Sequence, residues 1–196
     1  MSTEGFPTFS AMPSSSEEES NFLEKNMASL QKIFDINPEL AEIGSLDQYA
    51  AYVEKIFPNS LVKNIVWHGS KKHFNEFKRK IFNFFGLKLS HGLYFGEKYE
   101  HSEVFAGEKG KLFPAKISIE RPNKPIMKVT GIPFNTNKGN GYIGKDFIDR
   151  NVGLVDEYVV FDPYQIHILG DSKDARAFKE WTLGNKEKSS LFESPQ

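Results

Sequence analysis

Apolar positions along this 196-residue chain repeat first at helical and then at strand spacing. From about Ser16, the residues Leu23, Met27, Leu30 and Phe34 follow at steps of four, three and four, the repeat of one buried helix face. Asn37-Pro38 interrupts it. Ser45-Leu46-Asp47-Gln48 then fits a capping box, in which Ser45 and Gln48 each satisfy an orphan N–H of the other. The helix it opens carries an apolar face of Tyr49, Tyr52, Val53 and Ile56, and Pro58 stops it. Together these residues predict a helical lead-in packed on the main domain.

Beyond residue 60 the texture changes to short apolar runs separated by turn residues. Ile65–His68 reads as a buried strand ending at Gly69, Gly92–Phe95 as a short strand and Tyr99–Gly107 as a helix. Phe113, Ala115, Ile117 and Ile119 alternate with polar partners, the mark of a half-buried strand. Pro125–Thr130 is a further strand candidate, with the proline at its start where a missing donor does least harm. Gly131–Gly144 holds four glycines and three asparagines and reads as a loop. Glu157–Phe161 and Gln165–Leu169 are strands joined at Asp162-Pro163, and Ser172–Trp181 is helical. Many short strands with few helices predict an α+β fold rather than a doubly wound sheet.

The resulting division is a disordered tail over 1–16, a helical segment over 17–60, a main domain over 61–185 and a flexible tail over 186–196. The length suits one core and is short for two. The 18 phenylalanines imply an aromatic-rich interior. The absence of cysteine excludes disulfides, thiolate catalysis and cysteine-based zinc sites.

Net charge is −1, so no overall field draws the chain to nucleic acid or an anionic membrane. The distribution is less even: residues 1–60 carry ten acids against three lysines, a balance of −7 that leaves +6 for the rest. Between Lys63 and Lys88 there are seven cations and one acid, Glu76. This stretch is either a solvated basic face or a phosphate-facing one. The opening Met1-Ser2-Thr3-Glu4 has neither the cationic nor the apolar region of a secretory signal. No stretch approaches the roughly 20 apolar residues of a membrane span. The sequence therefore predicts a cytoplasmic protein, with delivery by a signal-independent route left open.

Three separated pieces carry chemistry: Trp67-His68-Gly69-Ser70, Gly92-Leu93-Tyr94-Phe95, and Asp156 through Asp162. Taken singly, each has an ordinary structural reading: a hydrogen-bonded histidine after a strand, a core tyrosine, a solvated glutamate opening a strand. Gly139, Gly141 and Gly144 read as loop glycines, since no strand precedes them and no clear helix follows as a dinucleotide fingerprint requires. His73, His91, His101 and His167 show no ligand spacing, and no metal site is predicted.

In order, the three pieces resemble the His-Tyr-Glu catalytic domain of the poly(ADP-ribose) polymerase and diphtheria-toxin type of ADP-ribosyltransferase. The resemblance covers roughly Val62 to Gly170. It implies a split-sheet fold in which His68 bonds the adenosine ribose of NAD, Gly69 holds the nicotinamide carboxamide through its backbone, and Ser70 contacts the adenosine side. Tyr94 becomes one wall of the nicotinamide slot. Ser102, eight residues on, takes the position of a carboxamide-binding serine, and Phe105, eleven on, that of a second stacking ring without its hydroxyl. Glu157 takes the catalytic position. His68, Tyr94 and Glu157 are then the catalytic set, and His68, Gly69, Ser70, Tyr94, Ser102 and Phe105 the NAD-binding set.

Breaking the bond between ribose and nicotinamide builds oxocarbenium character, as in glycoside hydrolysis. A carboxylate beside the ribose hydroxyls stabilises that charge. The resemblance thus implies transfer of ADP-ribose, as a single unit, to a protein or nucleic-acid acceptor. An NAD glycohydrolase and a non-catalytic NAD or ADP-ribose binding module are the alternatives. Arginine-directed transferases carry Glu or Gln two residues before the catalytic Glu, where this chain has Val155, which argues against an arginine acceptor. The NAD-dependent tRNA 2′-phosphotransferases resemble the chain less. By analogy the region between Gly131 and Asp156 faces the acceptor, whose identity its residues do not specify.

Overall fold

A computed structural model describes residues 15–79, 81–84, 87–90, 92–123, 139–149 and 153–192. The Pro125–Thr130 strand candidate, most of the 1–16 tail, Lys80 and the 131–138 part of the glycine-rich segment lie outside them.

Three helices open the chain: α1 (Ser15–Ile36), α2 (Glu39–Ile43) and α3 (Leu46–Lys55). The buried line of α1 is Phe22, Asn26, Leu30 and Ile33, while Met27 of the anticipated stripe is 39% exposed. Asn26 accounts for the rotation. Its amide donates to Phe22 O at 2.9 Å and its oxygen accepts the Ile65 N–H at 2.6 Å, tying the helix to the start of the sheet. A polar residue at that position hides the true stripe from a hydrophobicity count. The Ser45/Gln48 capping box is present as the sequence predicts. The short α2 was not anticipated; Pro38 occupies its N-cap instead of simply ending α1.

The strands are β1 (Val66–Ser70), β2 (Ile81–Phe84), β3 (Leu87–Ser90) and β4 (Leu93–Gly96), followed by helix α4 (Tyr99–Ala106). Then come β5 (Lys111–Ile117), β6 (Gly141–Asp149), β7 (Gly153–Val160), β8 (Ile166–Ile168) and helix α5 (Ser172–Phe192). Six strands form one sheet in the order β6-β7-β4-β1-β5-β8, and β2-β3 is a separate hairpin. Every pairing between these strands is antiparallel, and the sheet curls into a half-barrel. The fold is α+β.

Two readings change. Gly141 and Gly144 belong to β6, paired with Val160 and Glu157, rather than to a loop. The C-terminal helix runs to Phe192, well past Trp181 and into the segment assigned to a tail. In both places polar and glycine-rich composition masked an element.

Each sheet face has its own core. Ile65, just before β1, and Trp67 of β1 pack with α1, α2, α3 and α5 through Leu30, Ile33, Leu40, Tyr49, Val53 and Phe178. Val66, Phe95, Phe113, Ala115, Ile117, Tyr158 and Val160 form the other cluster, covered by Phe74 and Phe77. Strand β5 therefore lies between two cores. Pro114 and Lys116 are buried as fully as the apolar residues alternating with them, so β5 is not half-buried. Lys116 survives there because its Nζ donates to Lys63 O at 2.5 Å and lies 4.9 Å from the Phe22 ring centre. Among the described residues, no helix is long and apolar enough to cross a membrane.

Candidate functional site

Side chains alternate along a strand, so each strand offers one set of residues to each face. Trp67 packs on the helix side, and Gly69, two residues on, faces the same way. A Cβ built on Gly69 would lie 1.8 Å from Ser102 O and 3.0 Å from Ala106 N. Glycine is thus what lets α4 seat directly on β1. On β4, Phe95 belongs to the opposite core, which turns Tyr94 and Gly96 to the α4 side. On β7, Tyr158 and Val160 do the same for Glu157. Glu157 stands opposite Gly96, and Tyr94 opposite Val159, in the β4–β7 ladder.

The result is a cavity of about 310 Å³ bordered by His68, Gly69, Tyr94, Ser102, Phe105 and Glu157. Four elements contribute: β1, β4, α4 and β7. Gly96 helps shape it, since a Cβ there would point toward Ser102 Oγ at 3.5 Å and His101 Cβ at 3.8 Å. Ser70, the seventh residue picked from the sequence, does not border this cavity; its hydroxyl accepts the Lys72 N–H at 3.1 Å in the turn after β1.

The cavity sits where β1 and β4 part. Their register is the single pair Trp67 and Gly96. Past it, the His68 side chain reaches across, with Nδ1 2.7 Å from Tyr94 O. A carbonyl can only accept, so Nδ1 carries the proton, and a neutral ring presents Nε2 as a bare acceptor. Burial lowers the His68 pKa against the opposing effect of that bond, keeping the ring neutral at pH 7. The ring also packs among four phenyl groups, with centroids 6.1 Å from Phe74, 5.0 Å from Phe77, 5.5 Å from Phe95 and 6.2 Å from Phe113.

Burial, and then the charge of Glu157, raise the Tyr94 pKa, so its hydroxyl stays protonated. Ser102 is 3% exposed and its Oγ donates to Trp67 O at 2.8 Å, leaving the oxygen lone pairs to accept. Phe105 is 48% exposed at the rim. Beside Glu157, Asp156 also borders the cavity and is bound by Lys145, which lies at the β-bulge of β6 between Gly144 and Phe147.

Sequence reasoning passed over Trp67, Gly96, His101 and Asp156, all of which border the cavity. Three of these flank or belong to the quoted motifs, and His101 directly precedes Ser102. The His101 Nδ1 is buried with no hydrogen-bond partner, an atom that a ligand could complete. The basic stretch does not converge here. Lys78 and Arg79 border a different cavity, and Arg79 pairs with Asp162 at 3.9 Å.

Chemically, the cavity offers an aromatic wall at Tyr94, a second ring at its rim, a buried hydroxyl oxygen and the Glu157 carboxylate from the middle of β7. That combination favours a flat, partly apolar group that carries or develops positive charge. Comparison with protein-family models, curated proteins and solved structures finds no match for this chain.

Proposed function

We propose that this protein is an NAD-dependent ADP-ribosyltransferase that moves a single ADP-ribose unit to a macromolecular acceptor. One observation carries the reading. Residues chosen by resemblance from pieces of sequence as far apart as His68, Tyr94, Ser102, Phe105 and Glu157 border one cavity.

In this reading the nicotinamide ring lies against Tyr94 with Phe105 closing the open side. Its carboxamide meets the backbone at Gly69 and the Ser102 oxygen. Glu157 holds the ribose hydroxyls and stabilises the oxocarbenium character as the C1′–N bond breaks. Nicotinamide leaves with the bonding electron pair, and the acceptor attacks C1′ and gives up its proton. The cavity is near the lower end of the ~300–1,000 Å³ range of small-molecule sites. It suits the nicotinamide and its ribose, with the adenosine half outside toward Ser70. Neutral His68 serves as an acceptor that orients the dinucleotide, and no metal takes part.

Labelled NAD incubated with the protein and a cell lysate tests this. Wild type is expected to release nicotinamide and label a macromolecule, and Glu157→Gln to lose about 10²–10³-fold in rate, the usual cost of one transition-state charge contact. No nicotinamide release by wild type sinks the reading. Release with only free ADP-ribose as product makes the protein a glycohydrolase instead.

A further inference from the structure

A second cavity, of about 750 Å³, lies outside the candidate NAD site and is bordered by two cations of the basic segment, with a third from α5. It is bordered by three cations, Lys78, Arg79 and Lys173, by an equal number of acids, and by the rings of Phe57, Tyr164 and His167. We propose that it binds a single-stranded polynucleotide, with one base stacked on Tyr164 and the flanking phosphates held by the three cations.

Tyr164 is the pivot. Its residue surface is 92% exposed, so burial does not explain its presence. Its mount, by contrast, is rigid. Tyr164 lies in the short 3-10 turn Pro163–Gln165, and its N–H donates to Asp162 Oδ1 at 3.1 Å. Gln165 Oε1 accepts the N–H groups of Phe161 at 3.2 Å and Asp162 at 3.0 Å, and its amide donates to Ser118 O at 2.7 Å and Asn140 O at 2.5 Å. A turn pinned on both sides thus holds an aromatic ring in water. Such preorganisation lowers the ordering cost of a stacking partner. Bases stack on such platforms whatever their identity, because each has a π-face.

Two further observations point the same way. Phe57, at φ 54, is the one described non-glycine residue with positive φ, and it borders this cavity. Strained backbone of this kind clusters at active sites and ligand clamps. The cations are also only loosely engaged: Arg79 lies 3.9 Å from Asp162 and Lys173 3.7 Å from Glu76, both on exposed side chains. A phosphate can compete for each. The nearby acids keep the surface from attracting nucleic acid by charge alone, so stacking must supply the remaining affinity.

The test is fluorescence anisotropy with labelled oligouridylate and oligothymidylate of about ten nucleotides, within the span of known single-strand sites. It uses the full chain without NAD, so its outcome is independent of the transferase reading. Wild type is expected to bind a single strand, with a log–log salt slope of about −2 from three phosphate contacts. Tyr164→Ala should weaken binding about tenfold or more with unchanged melting temperature, whereas Tyr164→Phe should retain it. Lys78→Ala with Arg79→Ala should weaken binding and flatten the slope. Saturable binding of either oligonucleotide supports the proposal, and the tighter one identifies RNA or DNA as its source. No saturable binding, equal binding of a duplex, or unchanged binding by Tyr164→Ala overturns it.

Discussion

Gly69 is the residue on which the candidate site turns, and its requirement is geometric. Adding one methyl group at a point 1.8 Å from Ser102 O forces α4 away from β1, because the neighbouring atom is backbone rather than a flexible side-chain end. Overpacking of this kind costs about 1–3 kcal/mol. Gly69→Ala is therefore expected to lower the unfolding free energy by that amount, read from a shifted urea midpoint at unchanged slope, and under the proposed function to weaken NAD binding as Ser102 moves. Unchanged stability would show that α4 shifts without cost. At this scale the sequence was informative for side chains that project from regular strands. Period-two alternation carries Tyr94 and Glu157 to the α4 side once Phe95, Tyr158 and Val160 are recognised as core. It was uninformative for Ser70, whose hydroxyl is taken by its own turn, and for His101, whose buried nitrogen becomes visible only when α4 is in place.

Elements are joined by a polar knot at Asp174, whose carboxylate is 0% exposed. Tyr49 of α3 donates to it at 2.5 Å and Tyr52 at 3.1 Å, Gly170 N–H donates at 2.8 Å, and His167 of β8 lies at 2.7 Å. One side chain thereby fixes α5 against α3 and the sheet edge. Hydrogen bonds to charged groups contribute about 1.5–3 kcal/mol each. Tyr49→Phe keeps the edge contacts with Phe34 and Phe178, at 5.3 Å and 5.0 Å between ring centres, and removes only the hydroxyl. It should destabilise by about that range with an unchanged dependence on denaturant. No shift in the midpoint would assign the knot to specificity rather than stability. The helices α3 and α4 and most strands were legible because capping residues and apolar runs are local signals. The hairpin β2–β3 and the first half of β6 were not: each hairpin strand is only four residues long, and two glycines interrupt Gly141–Lys145. Their pairing partners, not their composition, make them strands.

Across the whole molecule, burial of ionisable groups sets a pH profile with two opposing limbs. Lys116, in the strand between the two cores, has its pKa pushed down to about 8, mainly by burial and then by Lys63. Between that value and the unfolded value of about 10.4, the unfolded chain binds a proton that the folded chain does not, so stability rises with pH. Tyr49 and Tyr52 act the other way. Burial, and then the Asp174 charge, raise both well above 10.0, so above that pH the folded state retains protons that the unfolded chain loses, and stability falls. On the acid side, the lowered His68 pKa removes stability as pH drops below its ordinary 6.5. The expected profile climbs by about 2–3 kcal/mol from pH 8 to 10 and then declines. Urea unfolding at half-unit pH steps measures it, and Lys116→Met should abolish the climb while leaving the decline above pH 10 intact. A climb that persists in Lys116→Met would place its origin elsewhere. The sequence could not foresee this limb, because a lysine alternating with Phe113, Ala115 and Ile117 reads as the wet face of a strand until a helix is seen to cover it.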